Sequence, residues 1–235
     1  GKPVTQLREY IQSLRVIWHS FQTGERLQYE GEYYNFSLLT PFFTPEPMAY
    51  HNIPIYIAGV NTGLAKLGGE LCDGFHVHSF HTPTYLREVL IPAIEEGGNR
   101  TGRTRDDISL SCAIFIVTGQ TDAEIEESKI ATKSQIAFYA STPSYSKVLE
   151  LHGWDDLIPE LNALLRRNKW NEMHNLISDE MLDHFAVVAP PDELPYKVRE
   201  RYDGLLDRVG FYFPFEPADE SKRMIWEHAS KAMEA

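Results

Sequence analysis

The stretch IPIYIAGVNTGLAKLGGELCDGFHVHSF, residues 53–80, holds a strand, a glycine turn, a helix and a second strand. The run from Ile53 to Gly59 is almost wholly apolar, which predicts a parallel strand covered on both faces. Asn61 and Thr62 follow where they can cap a helix, and the second strand is predicted from Gly74 to Phe80. The stretch therefore predicts one βαβ unit, whose ligands are expected at the carboxyl ends of its strands.

The strand and helix alternation continues on both sides of this unit. The predicted elements of the first half are a helix from Pro3, a hairpin over Leu27 to Phe36, an aromatic and proline-rich loop over Leu38 to Asn52, a helix from Thr82-Pro83 to Gly97-Gly98, a strand over Ile108 to Val117 and a helix from Thr121 to Ala140. Those of the second half are helices over Thr142 to His184, a short strand or an extended lead into the next helix over Phe185 to Ala189, a helix from Pro191-Asp192, a strand over Arg208 to Phe213 and a helix over Glu220 to Met233. This order favours right-handed βα repeats and so an α/β fold.

Four of these strands are predicted to be parallel. A closed eight-stranded barrel needs twice that number and about 250 residues. The chain is therefore either a small open sheet or the C-terminal part of a barrel whose first strands are missing. The helical stretch 142–184 is too long for a simple crossover, and we interpret it as an insertion over one end of the sheet.

The charge balance excludes a general affinity for polyanions. The 235 residues contain 22 Lys and Arg against 34 Asp and Glu, a formal net charge of −12. Nucleic acid and anionic membrane surfaces are thus not expected as partners, and a small-molecule substrate is. The two cysteines lie far apart, and no signal peptide or apolar run of about 20 residues is found, so a cytoplasmic location is predicted.

The motif AGVN, residues 58–61, places a glycine between a strand end and a helix N-terminus. The backbone N–H groups of Val60, Asn61 and Thr62 can cradle a phosphate there, because Gly59 lets the backbone approach closely and the helix dipole favours an anion. Many βα turns carry glycine for geometry alone, so the motif by itself leaves both interpretations open.

Three histidines follow the second strand of the unit. His76 and His78 share one face of the strand, a spacing that zinc amidohydrolases use inside a barrel. The alternatives are a packed strand histidine for His76 and a hydrogen-bonding residue facing the substrate for His78 or His81. The spacing also leaves open whether Tyr139 and Tyr145, near the start of the insertion, face a ligand.

Four segments in this order resemble one family. They are YEGEYYNF (29–36), IPIYIAGVN (53–61), GELCDGFHVHSFHT (69–82) and ASTPSYSKVLELHGW (140–154). Together they are similar to the luciferase-like monooxygenase superfamily, and more narrowly to its branch of oxidoreductases that use the deazaflavin coenzyme F420. The resemblance implies a TIM barrel with a flavin or deazaflavin at the carboxyl ends of the strands.

The family's phosphate-binding turn corresponds to Gly59, Val60, Asn61 and Thr62, and its substrate-side position to the stretch from His78 to His81. His81 stands where some relatives that oxidise sugar phosphates have a lysine, so their substrate is not carried over. The resemblance also implies that the first half of the barrel is missing, so that residues 1–235 are the C-terminal portion of one barrel domain.

The sequence thus predicts an F420-dependent oxidoreductase, with FMN as the second choice of cofactor, that transfers hydride to or from a small organic substrate. His78 and His81 are the predicted catalytic residues, Gly59 to Thr62 bind the cofactor, no metal is expected, and a homodimer is possible. The fragment alone is expected to be inactive. A zinc hydrolase built on His76 and His78 and a non-catalytic flavin-binding homologue are the alternatives.

Overall fold

The computed structural model describes residues 2–213 and the isolated positions 223, 224, 227 and 231. Apart from those four positions, the helix predicted over 220–233 lies outside the described residues. The strands in the described part are β1 (Tyr29–Glu30), β2 (Asn35–Phe36), β3 (Tyr56–Gly59), β4 (Gly74–Val77), β5 (Ser109–Val117), β6 (Ala186–Val188) and β7 (Arg208–Tyr212). The first two form a separate antiparallel pair, and the other five form one sheet.

Every pairing in the five-stranded sheet is parallel, as the sequence predicts. The strand order is β3-β4-β5-β6, and β7 also pairs with β5. Phe115 of β5 pairs with Ala186 of β6 and with Tyr212 of β7, which places β6 and β7 on opposite edges of β5. The sheet does not close within the described residues, which is consistent with part of an α/β barrel.

The helices cover one face of this sheet and its carboxyl end. They are α1 (Pro3–Thr23), α2 (Thr62–Leu71), α3 (Pro83–Tyr85), α4 (Ile91–Asn99), α5 (Asp122–Ala140), α6 (Ser146–His152), α7 (Leu157–Arg166), α8 (Asp179–Phe185) and α9 (Leu194–Tyr202). The helices α6, α7 and α8 occupy the stretch that is predicted as an insertion.

The two faces of the sheet differ in exposure. Apolar side chains such as Phe75, Leu110 and Ile114 are fully buried beneath the helices. The opposite face leaves Ala58 and His76 exposed, among other residues. Because side chains alternate along a strand, this second face is available to a ligand or to another part of a barrel.

Two helices behind the sheet meet backbone to backbone. A Cβ added to Gly69 of α2 would lie 1.9 Å from the carbonyl oxygen of Ile94, and one added to Gly97 of α4 would lie 1.9 Å from that of Lys66. The helix predicted to end at Gly97-Gly98 ends one residue later, at Asn99, and Gly97 provides the close approach to α2.

The helix between Pro83 and Asn99 is not regular along its length. Residues Leu86–Leu90 form a π-helical turn between α3 and α4. Pro92 explains this widening, because it has no N–H to donate to the carbonyl oxygen four residues earlier. The helix thus begins directly after the histidine loop and changes its pitch within two turns.

Helix α1 is fastened to the βαβ unit by ion pairs. Arg8 pairs with Glu70 of α2, and Arg15 Nη2 lies 2.5 Å from Asp73 Oδ2. Asp73 also accepts a hydrogen bond of 2.7 Å from the backbone N–H of Ile55. This carboxylate therefore joins the starts of β3 and β4 to α1.

Candidate active site

His78 lies in the loop that follows β4, because the strand ends at Val77 rather than at the predicted Phe80. Its Nδ1 accepts a hydrogen bond of 3.0 Å from the backbone N–H of Phe80. The neutral ring therefore carries its hydrogen on Nε2, which lies 3.5 Å from the hydroxyl of Tyr145. Burial lowers the pKa of His78 below its ordinary value, because a low dielectric disfavours the charged ring.

Two tyrosines enclose the His78 ring. The ring centroids of Tyr139 and Tyr145 lie 4.8 Å and 4.9 Å from that of His78. Tyr139 stands near the end of α5, and Tyr145 stands just before α6. Burial raises the pKa of Tyr139 to about 12, so its phenol stays protonated at neutral pH. The sequence names both tyrosines as possible ligand-facing residues, and the fold brings them to His78.

His81 lies beneath the same loop and is only 2% exposed. Its Nδ1 donates a hydrogen bond of 2.9 Å to the carbonyl oxygen of His78, and the Cys112 thiol lies 3.6 Å from the same nitrogen. Burial lowers the pKa of His81 to about 4. The ring therefore stays neutral near pH 7 and holds the backbone of His78, and its predicted catalytic role remains a prediction.

The predicted phosphate-binding turn lies at the carboxyl end of β3. Gly59 ends the strand, and Thr62 begins α2. The Asn61 side chain stands at the N-cap but makes no capping hydrogen bond, so the capping prediction is met by position only. Asn61 and Thr62 are exposed, whereas Val60 is buried and its carbonyl oxygen accepts a hydrogen bond of 3.1 Å from Tyr85.

A cavity of about 550 Å³ opens at this turn. Asn61 and Thr62 form one side of it, and Lys147 and Glu150 of α6 lie on another. The Lys147 ammonium lies 2.6 Å from the Glu150 carboxylate. The cavity thus combines the first-turn N–H groups of a helix with one ammonium group.

A second cavity, a trough of about 460 Å³, lies on the exposed face of the sheet. Small residues such as Ala58, Ala113 and Gly210 line part of it. His76 and Ser111 also line it, with Nδ1 and Oγ 2.5 Å apart. The prediction did not include Ser111, although a serine in the apolar strand ISLSCAIFIV was the signal that could have identified it.

No group of three or more His, Cys, Asp or Glu within the described residues is arranged to hold a metal ion. His76 and His78 do not share a strand face as predicted, because β4 ends at Val77, but both line the trough. Their Nδ1 atoms are engaged by Ser111 and by the N–H of Phe80. These observations give the zinc hydrolase alternative no support. In the described part of the chain, no helix is long and apolar enough to cross a bilayer.

Comparison with known proteins gives consistent results. A family model described as luciferase-like monooxygenase matches residues 1–208. An uncharacterized protein of Mycobacterium tuberculosis is 44% identical over 209 residues, which cover 89% of this chain and 62% of that protein. The F420-dependent glucose-6-phosphate dehydrogenase of Mycolicibacterium gilvum is 29% identical over 209 residues, which cover 89% of this chain and 54% of that enzyme.

A solved structure has the same fold. The coenzyme F420 dependent tetrahydromethanopterin reductase from Methanopyrus kandleri superposes with a TM-score of 0.73 at 25% identity. The match covers 96% of this chain and 62% of that one. The chain therefore spans less than two thirds of the length of each of these relatives.

Proposed function

The chain belongs to the luciferase-like monooxygenase family, and from this premise we propose that the whole protein is an oxidoreductase that transfers hydride between coenzyme F420 and a small organic substrate. Two relatives that carry F420 in their names support this choice of cofactor. FMN is the second candidate, because the family resemblance covers flavins as well as deazaflavins.

The observation that carries the proposal is the meeting of two features at the carboxyl ends of neighbouring strands. An uncapped helix N-terminus follows β3, and a half-buried histidine with a fixed tautomer follows β4. The first suits the phosphate of a cofactor tail, and the second suits hydrogen-bond donation to a substrate beside it. Both stand where ligands bind in parallel α/β folds.

The residues present fit such a cofactor. A Cβ added to Gly210 would meet only the Cα of Ala113, at 4.0 Å, so the trough has open space above small residues. At the turn, the N-cap side chain leaves the first N–H groups of α2 without a cap. A flat ring fits over the small residues Ala58, Ala113 and Gly210, beside the polar residues of the trough. The anionic tail is assigned to Gly59, Val60, Asn61 and Thr62.

When bound, F420 or FMN accepts or supplies the hydride. The chain binds the tail through N–H groups at Asn61 and Thr62. His78 holds a proton at Nε2 and donates a hydrogen bond from it to the substrate, and Tyr139 and Tyr145 shield that ring from water. His81 positions the loop through the His78 carbonyl oxygen. Redox chemistry therefore belongs to the cofactor, and hydrogen bonding to the substrate belongs to the protein.

The test is a titration of the whole protein with F420 and with FMN, followed by absorbance and fluorescence. We expect F420 to bind and to be reduced when the substrate is present. Thr62→Glu should weaken binding about tenfold, because a carboxylate at the helix N-terminus repels the phosphate. Thr62→Val is the matched control and should bind F420 as the wild type does.

Three results would contradict the proposal. Binding of neither cofactor would remove the assigned function altogether. Binding of F420 with no reduction in the presence of any of a panel of alcohols, aldehydes and imines, with and without a carboxylate or phosphate group, would favour the non-catalytic homologue. Equal binding to the Thr62→Glu and Thr62→Val variants would show that the tail is bound elsewhere.

A further inference from the structure

A row of three polar side chains crosses the exposed face of the sheet. In the parallel register His76 of β4 pairs with Ser111 of β5, and Ser111 pairs with Arg208 of β7. Residues paired in this way project to the same face of a sheet. All three line the trough of about 460 Å³.

The hydrogen-bonded pair of His76 and Ser111 offers the trough a hydrogen-bond donor whichever of the two side chains donates to the other. Nδ1 and Oγ are 2.5 Å apart and share one hydrogen. If Ser111 donates to Nδ1, the neutral imidazole carries its hydrogen on Nε2. If Nδ1 donates to Oγ, the serine hydroxyl hydrogen is left to donate. The pair therefore always offers one outward donor.

Arg208 adds a positive charge at the end of the row. Its chain neighbour Asp207 does not neutralise it, because the Asp207 carboxylate lies 2.8 Å from Arg105 and accepts the backbone N–H of Leu110 at 2.6 Å. Arg208 makes no ion pair with any residue of the described part. The chain has a net charge of −12, so Arg208, which has no acidic partner in the described part, makes the trough locally positive in an otherwise negative protein.

The lining of the trough has the same character. Its side chains in the described part include two further residues with polar groups, His78 and Ser79, and no carboxylate. An anion in the trough would thus meet donors and a cation without a repelling acid. The guanidinium offers paired N–H donors whose geometry matches the oxygens of a carboxylate or a phosphate.

We infer that the row His76, Ser111 and Arg208 binds an anionic oxygen group, a carboxylate or a phosphate, of the substrate. The inference rests on the proposed function for the statement that this ligand is the substrate. It deepens that function by assigning the substrate to the class of organic acids or phosphate esters. Neutral alcohols and amines of similar size are then poor substrates.

The experiment is calorimetric titration of the whole protein, loaded with F420, with benzoate and with inorganic phosphate at low ionic strength. The wild type should bind at least one of these probes. Arg208→Gln should weaken that binding at least tenfold, as expected when a hydrogen bond to a charged group is lost. Arg208→Lys should retain part of the affinity. Arg167→Gln, an exposed site at the end of α7, is the control and should bind as the wild type does.

The outcomes separate the possible sources of the anion. Binding of phosphate alone or benzoate alone supports the inference and selects the ester or the acid. Failure of both probes to bind the F420-loaded wild type overturns it and leaves the proposed function standing. If Arg208→Gln weakens F420 binding but not probe binding, the row serves the cofactor and the inference is overturned. If F420 itself fails to bind the wild type, the proposed function fails, and the probes alone then decide whether the anion site exists.

Discussion

His78 has the position and the fixed tautomer to donate a hydrogen bond from Nε2 to a substrate. Replacing it with Asn keeps an acceptor near the N–H of Phe80 but removes the proton at Nε2. We expect His78→Asn to lower kcat by roughly 10²-fold or more while the dissociation constant of F420 changes little. Stopped-flow reduction of F420 in the whole protein measures the first quantity, and a fluorescence titration measures the second.

A comparison with His78→Ala separates hydrogen-bond donation by the ring from loop geometry. If His78→Asn retains the wild-type kcat while His78→Ala loses it, the ring only supports the loop. The pH profile gives an independent measure. Because burial lowers the pKa of His78, kcat/KM should hold as the pH falls through the ordinary histidine range and decline only below it. A decline that begins at or above pH 6.5 would contradict this role.

His81 makes the stability of the fold depend on pH. Its pKa is about 4 in the folded chain and near 6.5 in an exposed histidine, so the unfolded chain binds more protons between these values. The free energy of unfolding should therefore fall as the pH drops from 6.5 to 4, by about 3 kcal/mol for this residue, and change no further below 4. Urea denaturation at a series of pH values measures this slope.

His81→Asn is the informative variant for that slope. The Asn amide can donate to the carbonyl oxygen of His78 as Nδ1 does, but it does not titrate. The variant should show a flatter dependence of unfolding free energy on pH between 6.5 and 4. A slope equal to that of the wild type would assign the acid sensitivity to other groups, such as His152 beside His184.

At the scale of elements, the contact between α2 and α4 allows a sharp prediction. Gly69→Ala places a Cβ 1.9 Å from the carbonyl oxygen of Ile94, and backbone cannot move aside as a side chain does. We expect a loss of about 3 kcal/mol in unfolding free energy. Thermal denaturation followed by circular dichroism measures it.

Gly63→Ala in the same helix is the matched control. Its Cβ would lie 3.6 Å from Val4 Cγ2, an ordinary contact, and alanine is the better helix former. The variant should be as stable as the wild type or more stable by up to about 1 kcal/mol. Equal losses in both variants would contradict the close approach as the cause, because Gly63 has no such contact and helix propensity favours alanine at both positions.

The strands were the most predictable elements. The apolar run before Gly59 and the β-branched run in β5 predict parallel strands, and both pair as expected. The ends of elements were less predictable, because hydrogen-bond partners decide them. The second strand stops at Val77 since the backbone beyond it turns to place Phe80 N–H on His78.

The roles of the glycines and the polar row depended on distant contacts. The pair Gly97-Gly98 has the local signature of a helix end, and only the position of α2 shows why glycine is also required at position 97. Arg208 has no local signal, because its place beside Ser111 is set by a register between strands almost 100 residues apart. His76, His78 and the turn at Gly59 could be singled out because their spacing carries the information.

At the scale of the whole molecule, β5 is the centre of the described sheet. It pairs with β4 and β6 on one edge and with β7 on the other, and its residues from Ile114 to Val117 are fully buried. Its amides should therefore exchange hydrogen more slowly than any others in the described part. The loop 37–52, where Phe42 and Phe43 are 88% and 73% exposed, should exchange fastest.

Hydrogen exchange followed by mass spectrometry measures both regions in one experiment. Peptides from 109–117 should remain protected after the peptides from 37–52 have exchanged completely. If the amides of β5 exchange as fast as those of the loop, this description is wrong, because the sheet would then not act as the cooperative unit. Addition of F420 should slow exchange at 59–64 most, because the proposed tail site lies there.

The backbone contact between α2 and α4 at Gly69 and Gly97 also affects how this protein can evolve. Both positions are glycine, so even the smallest substitution, to alanine, places a Cβ against the backbone of the other helix. The trough is different, because its floor is made of side chains on a fixed frame. Single substitutions in the trough can therefore change the substrate preference. The contact between the helices behind the sheet tolerates little substitution, so the fold is preserved while the trough changes.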